Sequence, residues 1–154
     1  MADPSALGGP HVITWLLVII GWIIINWQHN RRETRKEQYS QLTEINTWLA
    51  DIEHKAIAFH TAETYDQQTY RELVRDIARI TPQIKLLGLL NDSKAIAVLV
   101  TDIRRAITLN NADASTFEPK ASNDPLLDDI SNSIDELRIK LQKAFVAKYH
   151  LNVT

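Results

Sequence analysis

The feature that most constrains this chain is an uncharged apolar run near its start. Residues 12–25 read VITWLLVIIGWIII, and with His11, Asn26 and Trp27 they make a segment of about 17 residues. That is the short end of what crosses a bilayer as a helix. The flanks decide the reading. Trp15, Trp22 and Trp27 can sit toward the interfaces, where indole rings are favoured, and Arg31, Arg32, Arg35 and Lys36 follow on one side only. The positive-inside rule then places everything from about residue 30 in the cytoplasm and leaves the tail MADPSALGGP outside. The expected organisation is a non-cytoplasmic tail over 1–10, a transmembrane helix over 11–28, a charged helical stalk over 29–38 and a cytoplasmic helical bundle over 39–150.

Two other readings of the run fit less well. A cleaved signal peptide wants a basic stretch before its core and a small-residue site after it, but Asp3 precedes this core and Gln28, His29, Asn30 and Arg31 follow it. A core helix of a soluble domain is amphipathic, whereas this one is apolar on every face. Gly21 has no small residue four positions away, so a GxxxG-type dimer motif is absent.

Beyond the anchor the periodicity is helical. Tyr39, Leu42, Ile45, Leu49, Ile52, Ala56 and Phe59 are spaced 3, 3, 4, 3, 4 and 3, a heptad-like stripe. Neither Pro nor Gly interrupts residues 22–63, so one helix is expected to run from the anchor through RRETRKEQ into the domain, about 75 Å at 1.5 Å per residue. The stripe has two uses that the sequence leaves open: the core of the chain's own bundle, or a seam between copies.

A second helix shows Tyr70, Leu73, Val74, Ile77 and Ile80, with Thr69 and Glu72 fitting a capping box. Thr81 and Pro82 should kink or end it, leaving Ile84, Leu86, Leu87, Leu89 and Leu90 as a short apolar run. A third helix is expected to start at Asp92 or Ser93, carry Ile96, Leu99, Val100, Ile103 and Ile107, and stop at Asn110 and Asn111. Residues 110–124, NNADASTFEPKASND, read as an exposed loop. Pro125 opens a fourth helix with Leu127, Ile130, Ile134, Leu137, Leu141 and Phe145, running to about Lys148. Its acids come first and its bases last, as a helix dipole prefers. The expected fold class is all-α, an antiparallel four-helix bundle with the anchor as an extension of its first helix.

Composition narrows the chemistry. With 17 basic and 19 acidic side chains the net charge is −2, too balanced to attract nucleic acid, and no specific nucleic-acid partner is expected. Cysteine is absent, which removes disulfides, thiol catalysis and cysteine-based metal sites. Of the histidines at 11, 29, 54, 60 and 150, only His54 and His60 share an element, and six residues of helix turn them about 600° apart, onto largely different faces. With only four glycines and no HExxH, GxxxxGK[ST], GxSxG or GxGxxG, no phosphate cradle, metal or cofactor is expected, and the chain does not read as an enzyme. Small helical nucleases of the HEPN class carry an Arg four to six residues before a His, and no His here has one. Arg71, Arg75 and Arg79 repeat every four residues beside Glu72 and Asp76, which reads as a solvated, salt-bridged face.

The segment 27–37, WQHNRRETRKE, directly behind a Trp- and Ile-rich anchor, resembles the juxtamembrane signature of uncharacterised small single-span bacterial membrane proteins, a likeness covering about the first 60 residues. The layout of one span leading into a helical cytoplasmic domain is also similar to membrane accessory proteins associated with RNA-targeting CRISPR systems. That resemblance implies assembly as oligomers in a bacterial inner membrane. Three readings follow. The first is a self-assembling membrane effector or accessory, for which the CRISPR-associated resemblance implies a role in defence, with the bilayer and further copies as partners through the span and the stripe Leu42, Ile45, Leu49, Ile52 and Phe59. The second is an anchor that recruits a soluble cytoplasmic protein through an apolar groove near 84–90. The third is a membrane-bound enzyme, for which no residue constellation is found.

Overall fold

The computed structural model describes residues 9–90, 92–109, 111 and 113–150, without the side chains of residues 9–12, 93 and 150. Most of the expected tail and the helix stop at Asn110 lie outside the described residues. The fold is all-α: α1 (Gly9–Thr61), α2 (Gln67–Leu87), α3 (Ser93–Thr108) and α4 (Pro125–His150), with no strand among the described residues. The chain divides into two compact units, Met1–Gln38 and Tyr39–Thr154.

In the first unit α1 carries the apolar run. Among the described residues no helix is long and apolar enough to cross a membrane. The physical reason is length: the apolar run 12–25 makes about 20 Å of helix against a hydrocarbon core near 30 Å, and Asn26, Gln28, His29 and Asn30 follow at once.

The second unit is a four-helix bundle whose helices start and stop where the chain provides caps. Asp66 opens α2: its carboxylate accepts from the Gln68 N–H at 2.9 Å and from the Thr69 hydroxyl at 2.6 Å. The expected Thr69 and Glu72 box is therefore not formed; Thr69 lies inside the helix, and Glu72 accepts from the Gln68 amide instead. An ionised carboxylate one turn earlier is the stronger acceptor for orphan N–H groups at a helix start.

Pro82 does not end α2, which runs on to Leu87. Pro82 is exposed, while Ile84 and Leu87 are buried on the same stripe as Leu73, Ile77 and Ile80. Burying two such side chains gains about 1.5–3 kcal/mol each, enough to offset the roughly 3 kcal/mol that an interior proline costs. The helix stops at Gly88, whose φ of 61° lies in the left-handed region and whose N–H donates to the Lys85 carbonyl. Asp92 caps α3 through the N–H groups of Lys94 and Ala95, and Asp124 caps α4 through that of Leu126, one residue past Pro125.

Contacts between helices fix the topology. The His60 ring near the end of α1 meets the Ile107 carbonyl at the end of α3, and Lys148 of α4 donates to the Gly88 carbonyl just past α2. Lys55 pairs with Asp76 across α1 and α2, Glu53 with Arg138 across α1 and α4, and Tyr39 stacks near Phe145. Odd and even helices thus point in opposite directions, with α3 packed between α2 and α4.

Candidate functional site

The residues singled out in the sequence separate into two groups. Leu42, Ile45, Leu49, Ile52, Ala56 and Phe59 are all buried in one core with α2, α3 and α4, Leu49 and Ala56 completely. The stripe is thus occupied within the chain and is not available as a seam between copies. The reason is area: α1 has only this apolar face to offer the bundle, and three amphipathic neighbours cover it.

The other group lies on the first unit and is exposed. Ile13, Trp15, Leu16, Leu17, Val18, Ile19, Ile20, Trp22, Ile23, Ile24, Ile25 and Trp27 are 49–68% exposed and follow one another around the whole helix. Arg31 places its guanidinium 3.8 Å from the centre of the Trp27 ring, a cation–π contact at the boundary between the apolar belt and the basic stretch. His29 lies 3.3 Å from Glu33 one turn on, and Arg31, Arg32, Arg35 and Lys36 are exposed. An apolar surface of this extent is not left to water by a stable protein.

The short run at 84–90 offers little groove, because Ile84, Leu87 and Leu89 are buried and only Leu86 stands clear, at 78% exposure. Arg71, Arg75 and Arg79 are exposed and form no salt bridge among the described residues. Their expected partners are engaged elsewhere: Glu72 takes the Gln68 amide, and Asp76 takes Lys55 at 3.0 Å.

A polar cluster inside the bundle was not anticipated. His60 and Asn111, 51 positions apart, are the buried polar residues of the described core. The Ile107 carbonyl can only accept, so His60 Nε2 carries the proton and donates to it at 3.0 Å, while Nδ1 accepts from the Asn111 amide at 3.3 Å. The orientation of Asn111 is fixed in turn: Oδ1 accepts from the Glu118 N–H and Nδ2 donates to the Glu118 carbonyl, both at 2.9 Å. Lys120 N–H donates to the His60 carbonyl at 2.8 Å, and Phe117 packs against Phe59 and Tyr65. The connection after α3 is therefore pinned to the end of α1 and not a free loop. One sequence signal was available. His60 stands four positions after Ala56, on the buried stripe, where a histidine must find partners.

Every hydrogen bond of this cluster is made with a neutral imidazole. Burial pushes the His60 pKa below its usual value, and Lys120 pushes the same way; the bond to Ile107 and the charge of Asp124 oppose them. The folded state thus resists a proton that the unfolded chain accepts, so stability is full above the unfolded value near 6.5 and falls as pH drops below it. We expect the melting temperature to decline between pH 7 and pH 5, with a slope of up to about 1.4 kcal/mol per pH unit from this group. His60→Gln should be less stable at pH 7 and show a flatter dependence; an equally steep one in the variant would remove His60 as the cause.

Among the described residues no group of three or more His, Asp or Glu is placed to hold a metal ion. No protein-family model, curated protein or solved structure matches the chain.

Proposed function

We propose that this chain is a membrane-anchored protein that acts by bringing copies of itself together, with residues 11–28 in a bacterial inner membrane, the first residues outside and the bundle in the cytoplasm. The observation that carries the reading is the belt of apolar side chains over 13–27, exposed on all sides of its helix. Lipid covers such a surface without asking for a complementary protein face. The segment is short, and a short span is accommodated by local thinning of the bilayer and by flanking side chains that reach to the interface. Trp15, Trp22 and Trp27 suit that interface, and Arg31, Arg32, Arg35 and Lys36 suit the anionic side of it.

Assembly is favoured over catalysis by what the residues offer. A cleft at the start of α2 is lined by the exposed side chains of Gln67, Gln68, Arg71 and Arg75, and the buried polar pair His60 and Asn111 is spent on holding the chain together. A defence role follows the architectural resemblance alone. The test is extraction of membranes with alkaline carbonate, which strips peripheral proteins and leaves spanning ones. The full-length chain is expected in the pellet and in the detergent phase thereafter; recovery in the carbonate supernatant would sink the reading.

A further inference from the structure

We propose that the α1–α2 face of the bundle is a two-fold interface with a second copy of this chain. The inference rests on the membrane-anchored, self-assembling reading above and names the surface through which the copies meet. A groove between the two helices is lined by Glu44, Trp48 and Asp51 of α1 and by Gln83 and Leu86 of α2. Leu86 is the most exposed large apolar side chain of the whole described chain, and Trp48 beside it is half-buried. The apolar centre is flanked by opposite charges. On α1 these are Glu44 and Asp51; on α2, Arg75 and Arg79 lie on the same outward strip as Gln83 and Leu86, at helical spacings of four, four and three. All four charged groups are exposed and form no salt bridge among the described residues.

The register of the helices decides what a partner would look like. Lys55 and Asp76 meet at 3.0 Å and set the level of α1 against antiparallel α2. One turn before Lys55 is Asp51, and one turn after Asp76 is Arg79, so the two stand at the same level on neighbouring helices without pairing. A two-fold axis running along the bundle brings Asp51 of one copy against Arg79 of the other, and Arg79 against Asp51, while Trp48 and Leu86 close over the axis. The patch is self-complementary, which is the requirement for a closed dimer. An unrelated acidic or basic partner would match only one half of the face.

The charges allow a reciprocal test, because the pairing is made twice. Full-length protein in mild detergent is measured by sedimentation over a concentration series. Asp51→Arg and Arg79→Asp should each weaken the dimer at least tenfold, since each places like charges together at two positions. The double variant, and an equimolar mixture of the two single variants, should restore it. The absence of native cysteine allows a second readout in membranes: Leu86→Cys should form an oxidative cross-link between copies, and Val98→Cys, exposed on α3, should not. Reversals that leave the mass unchanged, or equal cross-linking at both positions, would overturn the interface. If the chain stays in the carbonate-resistant pellet while the dimer tests fail, the interface is wrong and the anchoring stands; if it leaves the pellet, the anchoring reading fails by itself.

Discussion

Leu49→Asp should abolish the cooperative thermal transition of the domain. Leu49 is fully buried, between Ile45 and Ile52 on the stripe that α1 presents to the other three helices. Truncation of a buried leucine alone costs about 2–5 kcal/mol, and a carboxylate left there without a partner adds several more or must take up a proton. A domain of this size is held by only about 5–15 kcal/mol. Far-ultraviolet circular dichroism on heating checks the outcome, with Val98→Asp as the comparison, because Val98 is exposed on α3, away from the α1–α2 face, and its replacement should leave the transition nearly in place. A Leu49→Asp protein that melts like the parent but has a smaller mass would mean that the stripe joins copies after all.

Placing arginine at Ile20 and Ile23 together should move the chain from the membrane fraction to the soluble one or to aggregates. On the insertion scale each Ile, Leu or Val contributes about −0.3 to −0.6 kcal/mol at the centre of a span and each Arg about +2.5 to +3.5. The run 12–25 holds ten Ile, Leu and Val residues, whose sum is roughly −5 kcal/mol on that scale, so two substitutions raise the total by about 7 kcal/mol and reverse its sign. A longer span would tolerate the change; this one has no reserve. The melting behaviour of the bundle should be unaffected, because residues 20 and 23 belong to the other unit. A double variant still resistant to carbonate would show that the run is not what holds the chain to membranes.

Much of the bundle is legible in the chain because α-helical periodicity and caps are local. The starts of α3 and α4 follow from Asp92 and from Pro125 behind Asp124, each recognisable within a few residues. The end of α2 is not legible, since the rule that proline stops a helix is local and the burial of Ile84 and Leu87 that overrides it is tertiary. The stripe on α1 shows that residues are buried but not against what: a core and a seam have the same spacing, and only the positions of α2, α3 and α4 separate them. His60 and Asn111 form their pair across 51 positions, a relation that no window of sequence contains. Arg71, Arg75 and Arg79 fail in the opposite sense. Their neighbours in sequence, Glu72 and Asp76, are turned toward other partners, so a face that reads as salt-bridged forms no salt bridge from these arginines among the described residues.

The seating of residues 11–28 in a bilayer is the claim on which the rest depends, and single-cysteine accessibility measures it most directly, since any introduced thiol is the only one in this chain. Intact cells carrying Ser5→Cys, Ile20→Cys or Ala50→Cys are treated with a membrane-impermeant maleimide, before and after lysis and then after detergent. The account predicts labelling of position 5 from outside, of position 50 only after lysis, and of position 20 only once detergent has removed the lipid. Labelling of position 20 in lysed cells without detergent would contradict it.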